Sequence, residues 1–312
     1  MDAEHTALVF PGQGSQAVGM GRDLSTTYPV ARATFVQADE ILGFNLTQLA
    51  WEGPEDQLND TINTQPILLT HSIAALRVLL EHIPDFRPAF VAGHSMGELS
   101  ALVGARSLPF QDALILARKR GECMKAAGTI SPGSMAAILG LDIPTLDRIC
   151  SEASRPGEIV QVANDNCPGQ VVISGASSAL ERALESAGLA GARRAVRLAV
   201  SIAAHSPLME NAQVSFNQAV DAARLERPVV ALFVNVSASP LNNQDQLCDD
   251  LKAQLTHRVR WTESIQFMIS KGVTTFLELG SGSVLAGLIK RIDNRANVIS
   301  LGTAADFQKL AL

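Results

Sequence analysis

The chain has 312 residues, of which 47% are hydrophobic and 18% are charged, and its formal net charge is −6. This composition is typical of a globular enzyme and excludes a disordered or fibrous chain. The acidic balance argues against a broad nucleic-acid or membrane surface, and no stretch reaches the roughly 18 apolar residues of a membrane helix. Four scattered cysteines form no C-x-x-C pair, so we expect neither a metal site nor disulfides, and a soluble protein of the cytoplasm.

The first third of the chain predicts strands that alternate with helices. Apolar runs at residues 7–10 and 89–92 predict short buried strands, and the patterns at 31–42 and 67–80 are helical. The second strand leads into Gly93-His94-Ser95-Met96-Gly97 and then into a helical pattern over 98–103. Such alternation favours a parallel sheet.

The pattern between residues 134 and 201 is different. Strands at 135–139, 159–163, 171–174 and 195–201 and helices at 145–153 and 179–187 give the order β-α-β-β-α-β. This order is typical of a ferredoxin-like unit. We therefore predict an α/β protein in which residues 1–133 and 202–312 form one subdomain and 134–201 a small inserted one, with a ligand cleft between them.

The last third returns to alternating elements. The pattern predicts a helix from Pro207, a strand at 229–234, a surface loop at 237–246 and helices near 247–255 and 263–269. A strand at 275–279, a helix at 284–292 and a strand at 298–301 complete the predicted sheet.

The segment Gly93-His94-Ser95-Met96-Gly97 matches G-x-S-x-G. Its glycines permit a tight strand-to-helix turn that holds a serine hydroxyl at the carboxyl end of a strand, in front of a helix N-terminus. The flanking predicted strand and helix are the context that this motif requires. Ser95 is therefore a candidate nucleophile, and the alternative is an ordinary turn with a capping serine.

A nucleophilic serine needs a base, and His205 is the candidate among six histidines. It follows a predicted strand and precedes Ser206-Pro207, a plausible helix start. His94 adjoins the serine on a tight turn and is expected to point away from it. The other four are expected on the surface or on helix faces: His5, His71, His82 and His257.

A glycine-rich loop, Pro11-Gly12-Gln13-Gly14-Ser15-Gln16, follows the first strand. Such a loop can offer backbone N–H groups to an oxyanion. Gly12, Gly14 and Ala17 also fit the dinucleotide fingerprint, so an NAD(H)-responsive binding protein is an alternative. Pro11 at the strand-to-turn junction argues against that reading.

Arg120 lies on the apolar line of a predicted helix at 111–124, together with Ala113, Ala117 and Met124. A guanidinium on an apolar face requires an anion. That anion is either an internal carboxylate in a salt bridge or a carboxylate of the substrate, bound by two parallel hydrogen bonds.

Five separated segments together resemble the malonyl-CoA:acyl carrier protein transacylase family, and they span nearly the whole chain. They are the loop at 11–16, the elbow at 93–98, Arg120-Gly121, Ala204-His205-Ser206 and Gln254-Leu255. The resemblance implies an α/β-hydrolase-like large subdomain, the split architecture above, and an S-malonyltransferase of fatty acid or polyketide synthesis.

The resemblance also implies the role of each site residue. Ser95 is the nucleophile and His205 its base in a Ser-His dyad, and the main-chain carbonyl of Gln254 orients the histidine. The N–H groups of Gln13 and Met96 form the oxyanion hole, and Arg120 holds the malonyl carboxylate. Asn164 resembles a family position near the cleft.

The implied substrate is a coenzyme A thioester, with no permanently bound cofactor and no metal. Malonyl-CoA and a holo acyl carrier protein are the implied partners of a monomer. The small pair Ala203-Ala204 leaves room for an α-methyl group, so methylmalonyl is an alternative. A hydrolase that releases the acyl group to water is the closest alternative function, and Arg120 favours transfer of a carboxylated acyl group.

Overall fold

The computed structural model describes residues 2–310. Eleven strands lie within that range: β1 (Thr6–Phe10), β2 (Phe90–Gly93), β3 (Gly133–Leu139), β4 (Val160–Cys167), β5 (Gln170–Ala176), β6 (Arg194–Arg197), β7 (Ala231–Phe233), β8 (Pro240–Leu241), β9 (Val259–Arg260), β10 (Thr275–Leu279) and β11 (Asn297–Leu301).

The same range contains fourteen α-helices and two 3-10 turns, Ala3–His5 and Pro207–Met209. The helices are α1 (Arg22–Thr27), α2 (Pro29–Leu42), α3 (Leu46–Glu52), α4 (Glu55–Leu58), α5 (Thr61–His82), α6 (Gly97–Gly104), α7 (Phe110–Ile130), α8 (Ile143–Ala153), α9 (Ser177–Leu189), α10 (Glu210–Ala222), α11 (Gln244–Leu251), α12 (Trp261–Ser270), α13 (Val284–Ile292) and α14 (Ala304–Lys309).

The first sheet has the order β11-β10-β1-β2-β7-β8 and is parallel except for the edge pair β7–β8. All five residues of β1 are buried. Leu8 and Phe10 enter one apolar cluster, whereas Ala7 and Val9 enter another. Successive side chains of a strand point to opposite faces, so this sheet is covered on both sides, as its continuous apolar run predicts.

The second sheet has the order β6-β3-β5-β4-β9. Its first four strands pair antiparallel, and β9 from the later part of the chain joins β4 in parallel. Helices α8 and α9 pack on this sheet, and their apolar side chains form a separate cluster within residues 136–187. The sheet therefore has its own small core and is extended by a strand from outside the predicted insertion.

The mixed α/β class with a parallel sheet is confirmed, and most predicted elements lie within a few residues of the observed ones. The predicted strand at 195–201 ends early, at Arg197. The predicted surface loop at 237–246 is wrong in part, because it contains β8 and the start of α11. Among residues 2–310, no helix combines the length and apolar character that crossing a membrane requires.

Candidate active site

The candidate site lies where the parallel strands β1, β2 and β7 end at one edge of the first sheet. The loop after β1, the elbow after β2 and Asn235 just beyond β7 meet there. Gly12 packs so closely on the elbow that an added Cβ would lie 2.5 Å from the carbonyl oxygen of His94. A glycine is therefore required for the two loops to touch.

Ser95 occupies a strained turn. Its φ of 53° is left-handed, a conformation that is uncommon for residues other than glycine. A Cβ on Gly93 would lie 2.0 Å from the backbone carbon of Gly97, and a Cβ on Gly97 would lie 2.2 Å from the carbonyl oxygen of Phe10, so both glycines are needed where β2 turns into α6. The predicted strand, turn and helix are all present, and the hydroxyl stands before the first turn of α6.

His205 reaches Ser95 from a distant part of the chain. Its Nε2 lies 2.8 Å from Ser95 Oγ. Its Nδ1 lies 3.0 Å from the carbonyl oxygen of Gln254 and 3.1 Å from that of His257. Carbonyl oxygens only accept, so Nδ1 carries the hydrogen and Nε2 is left to accept the serine proton.

The imidazole of His205 is buried and neutral. Burial first, and the positive charge of Arg120 second, lower the pKa of His205 to about 3. Among the described residues no carboxylate is hydrogen-bonded to the ring, because its Nδ1 partners are two backbone carbonyls. The free base is therefore available at any pH near neutrality, but the imidazolium that it becomes on taking a proton is disfavoured.

Arg120 is brought to the site by a close helix crossing. A Cβ on Gly121 would lie 2.6 Å from the carbonyl oxygen of Thr61 and 2.8 Å from Ile62 Cα, so α7 touches the start of α5 at this glycine. Pro66 has no N–H for the Ile62 carbonyl, which instead accepts from Arg118 at 3.3 Å. The crossing places Arg120 beside the buried first turns of α5.

The guanidinium of Arg120 is fully buried among neutral partners. It donates to Ser95 Oγ at 3.2 Å, to Gln65 Oε1 at 3.0 Å and to Gln254 Oε1 at 3.1 Å, and it lies 3.3 Å from Met124 Sδ. Within residues 2–310 no carboxylate forms an ion pair with it, so the internal salt bridge considered from the sequence is absent there. Burial lowers the pKa of Arg120 to about 10, which still leaves it charged at neutral pH.

Two backbone N–H groups on the loops around Ser95 have no hydrogen-bond partner among the described residues. Within the described chain, neither Gln13 N nor Met96 N donates a hydrogen bond, whereas the N–H of Ser95 donates to Asn235 Oδ1 at 2.7 Å. The side chain of Gln13 is fixed, because its Oε1 accepts from Thr61 Oγ1 at 2.9 Å and from Gln65 Nε2 at 3.2 Å. The nucleophile's own N–H is thus unavailable to an oxyanion.

Gln254 contacts three members of the site. Its carbonyl oxygen holds His205, its Oε1 accepts from Arg120, and its Nε2 donates to the carbonyl oxygen of Ser95 at 3.2 Å. Asn164 is buried on β4. No hydrogen bond of the described residues joins the Asn164 side chain to Ser95, His205 or Arg120.

Asn235 and Glu98 support the elbow, a role that the sequence analysis did not predict for either residue. Asn235 Nδ2 donates to the Gly93 carbonyl at 2.7 Å, so its amide spans the elbow, and its own N–H donates to Glu98 Oε2 at 3.0 Å. Burial first, and the carboxylate of Asp250 second, raise the pKa of Glu98 well above its usual range. The one signal was the position of Asn235 directly after a predicted parallel strand.

The remaining histidines lie outside the Ser95–His205 pair. The ring of His94 is directed to Asn166, with 2.8 Å between His94 Nε2 and Asn166 Oδ1. His71 lies on a helix face as expected but is buried, with its Nε2 2.8 Å from the Gly302 carbonyl. His5, His82 and His257 are exposed.

The glycine loop does not have the geometry of a dinucleotide site. In that fingerprint the turn opens directly into a helix whose N-terminus faces the pyrophosphate. Here β1 ends at Phe10 and the next helix begins only at Arg22. Within residues 2–310, no group of three or more histidine, cysteine, aspartate or glutamate side chains could hold a metal ion.

Residues 7–305 match the acyl transferase domain family. The chain is 44% identical over 295 residues to the malonyl CoA-acyl carrier protein transacylase of Bacillus subtilis. These residues make up 95% of this chain and 92% of that protein. The acyl-carrier-protein-S-malonyltransferase of Bartonella henselae has the same fold, with a TM-score of 0.94, 41% identity and 97% of each chain covered.

A malonyl-transacylase solved in complex with a type II polyketide synthase acyl-carrier protein is similar as well. Its TM-score is 0.93 at 40% identity, with 97% of this chain and 98% of that chain covered.

Proposed function

We propose that this chain, which belongs to the acyl transferase family and within it to the malonyl-CoA:acyl carrier protein transacylases, moves a malonyl group between two thiols through an ester on Ser95. The donor is malonyl-CoA and the acceptor is the phosphopantetheine thiol of an acyl carrier protein. The observation that supports a carboxylated acyl group is the buried charge of Arg120. It lies beside Ser95 Oγ and forms no salt bridge within residues 2–310, and the nearby Glu98 carboxyl only partly opposes the effect of burial on its pKa.

In the first half-reaction His205 Nε2 takes the proton of Ser95 Oγ, and the oxygen attacks the thioester carbonyl. The 2.8 Å separation of these two atoms supports this step. The C–S bond then breaks, and the departing sulfur of coenzyme A receives the proton from His205. The malonyl group remains as an ester on Ser95.

In the second half-reaction the pantetheine thiol of the carrier protein gives its proton to His205, and its sulfur attacks the ester. The C–O bond to Ser95 breaks, and Ser95 Oγ recovers the proton. Each half-reaction passes through a tetrahedral oxyanion, for which the unpaired N–H groups of Gln13 and Met96 are the proposed donors. Since the first product leaves before the second substrate reacts, the kinetics should be ping-pong.

Arg120 is the proposed partner of the malonyl carboxylate. A carboxylate accepts two parallel hydrogen bonds from a guanidinium, and the pair is strong when it is buried. Binding of that carboxylate also cancels a charge that disfavours the imidazolium of His205. Ala203 and Ala204 lie next to His205, and their small side chains keep methylmalonyl as an alternative acyl group.

The hydrolase alternative uses the same Ser95 and His205 and differs in the acceptor. A site for simple acyl groups gains nothing from a buried cation, because an acyl group without a carboxylate leaves that cation unpaired. The buried Arg120 therefore supports transfer of a carboxylated group. An acidic carrier protein would dock on a local basic patch, for which either Arg193 and Arg194 or Lys290 and Arg291 are exposed candidates.

We also propose that residues 134–201 act as a small subdomain inserted between 1–133 and 202–312. Their separate apolar cluster and their β-α-β-β-α-β order support this division. One chain supplies Ser95, His205, Arg120 and Gln254, which is compatible with a monomer. The free thiols of its four cysteines suit the cytoplasm.

Intact-protein mass spectrometry tests the proposal. The protein is mixed in parallel with malonyl-CoA, methylmalonyl-CoA and acetyl-CoA, and Ser95→Ala serves as the control. A malonyl-sized adduct that requires Ser95 and moves to added holo carrier protein is the expected result. An adduct that is hydrolysed to the free acid, and is not transferred when the carrier is present, would favour the hydrolase. If no thioester gave an adduct, the acyltransferase would be refuted.

A further inference from the structure

The backbone of His205 is held in an unfavourable conformation. Its φ of 58° is left-handed, and Ser206 Oγ closes the turn by donating to the Ala203 carbonyl at 2.7 Å. Such a conformation persists only where surrounding contacts determine it. The turn alone does not fix the ring, because rotation about the side-chain bonds remains.

The imidazole ring is held by another segment. The loop at 253–257 supplies the carbonyls of Gln254 and His257, which both accept from His205 Nδ1. This loop lies about fifty residues further along the chain than the turn at 203–206 that holds His205. The distance from His205 Nε2 to Ser95 Oγ therefore depends on how firmly the turn and the loop are joined.

The side chain of Gln161 joins them. Its Nε2 donates to the His205 carbonyl at 2.8 Å and to the Thr256 carbonyl at 3.0 Å. An amide nitrogen has two hydrogens, so both are used, and two carbonyl acceptors fix which end of the amide faces them. Gln161 lies on β4 opposite Ser174 of β5, which anchors it in the second sheet.

We propose that Gln161 is a positioning residue for the base, and that through it the second sheet sets the alignment of His205 with Ser95. The inference rests on the proposed role of His205 as the base. Gln161 makes no hydrogen bond to Arg120 or Ser95, so its effect should appear in the chemical step rather than in binding of malonyl-CoA.

Gln161→Leu removes both hydrogen bonds and keeps a side chain of similar length. We expect kcat to fall by about 10- to 100-fold, because a general base contributes about 10²- to 10⁴-fold and small misplacements are costly. KM for malonyl-CoA should stay within about twofold. Acylation and deacylation, measured separately in single turnovers, should slow together because His205 serves both.

Thr262→Val is the matched control. Thr262 Oγ1 donates to Asp165 Oδ1 at 2.6 Å, so it also ties β4 to the larger part of the chain, but it does not touch His205. Its loss should lower the melting temperature without lowering kcat. If Gln161→Leu and Thr262→Val lowered kcat equally, Gln161 would serve stability alone and the inference would be overturned.

Gln161→Glu adds a readout that a stability role would not give. The protonated form of the introduced carboxyl has one hydrogen, which it can donate to one of the two carbonyls, whereas the carboxylate can donate to neither; this raises the pKa of the carboxyl. The ratio of kcat in this variant to kcat in the wild type should therefore rise as the pH falls from 8 to 5.5. A ratio that does not change with pH would contradict a role through hydrogen bonding to the two carbonyls.

Labelling of Ser95 by phenylmethanesulfonyl fluoride separates this inference from the proposed function. Ser95 Oγ displaces fluoride from sulfur while His205 takes the proton, and no malonyl group is involved. Labelling should be slowed in Gln161→Leu by the same factor as kcat. Wild-type protein that is labelled but transfers no malonyl would refute the proposed function, and unchanged labelling in Gln161→Leu would refute the role of Gln161.

Discussion

Arg120→Leu removes the buried guanidinium that donates to Ser95 Oγ and leaves an apolar side chain on the buried face of α7. A hydrogen bond to a charged group contributes about 1.5–3 kcal/mol, so a two-pronged pair with the malonyl carboxylate contributes about 3–6 kcal/mol. At about 1.4 kcal/mol for each factor of ten, kcat/KM for malonyl-CoA should fall about 10²- to 10⁴-fold.

Acetyl transfer should respond in the opposite direction. Acetyl has no carboxylate, so in the wild type it leaves Arg120 unpaired. The charge of Arg120 is the second largest cause, after burial, of the lowered pKa of His205. Its removal raises that pKa, and a more basic imidazole takes the serine proton more readily. The rate of acetyl transfer should therefore stay constant or rise. As the pH is lowered, this rate should begin to fall at a higher pH than in the wild type, because the more basic His205 is protonated sooner.

The assay is single-turnover acylation of Ser95, followed by intact-protein mass spectrometry with malonyl-CoA and acetyl-CoA in parallel. Lys119→Leu is the matched control, because Lys119 adjoins Arg120 on the same helix but is exposed. It should change neither rate by more than about twofold. A malonyl preference that survives in Arg120→Leu would refute the assignment of the carboxylate to Arg120.

Three further substitutions test the surroundings of the site. Asn235→Ala removes both hydrogen bonds across the elbow and should lower kcat about 10- to 100-fold with little change in KM, measured by steady-state kinetics. Gly121→Ala should separate α7 from α5, cost about 1–3 kcal/mol of stability in urea unfolding and raise KM for malonyl-CoA. Glu98→Gln keeps the acceptor for Asn235 N and should retain activity. Burial disfavours the charged form of Glu98 in the folded protein, so the wild type loses stability as the pH rises and this carboxyl ionises. Glutamine cannot ionise, so the melting temperature of the variant should exceed that of the wild type by more at pH 8 than at pH 5.

The sequence predicted best what neighbouring residues determine. Ser95 stands between a short apolar strand and a helix, and Arg120 interrupts an apolar helical face, so both are visible in local patterns. The polar segment at 237–246 was misjudged because β8 is a two-residue edge strand, which has no periodicity to detect. Asn243 did carry a readable signal, since its Oδ1 caps the first turn of α11.

The residues that support the catalytic pair could not be found in this way. Asn235 meets Ser95 across 140 positions, and Gln161 meets His205 across 44. Both are uncharged amides on or just after strands, and their contacts depend on the order of strands in two sheets. Sheet order follows from packing of the whole chain, which no local pattern encodes.

In the part of the chain that the structure describes, His205 is oriented by backbone carbonyls and not by a carboxylate, and this bears on how the site selects its substrate. Two backbone carbonyls fix the ring and its tautomer, but they carry no full charge with which to stabilise an imidazolium. Arg120 adds a positive charge that opposes proton uptake by His205. A substrate carboxylate at Arg120 would cancel that charge at the moment when the base must take a proton. Discrimination against acetyl should therefore appear in the acylation rate as well as in the affinity for the thioester.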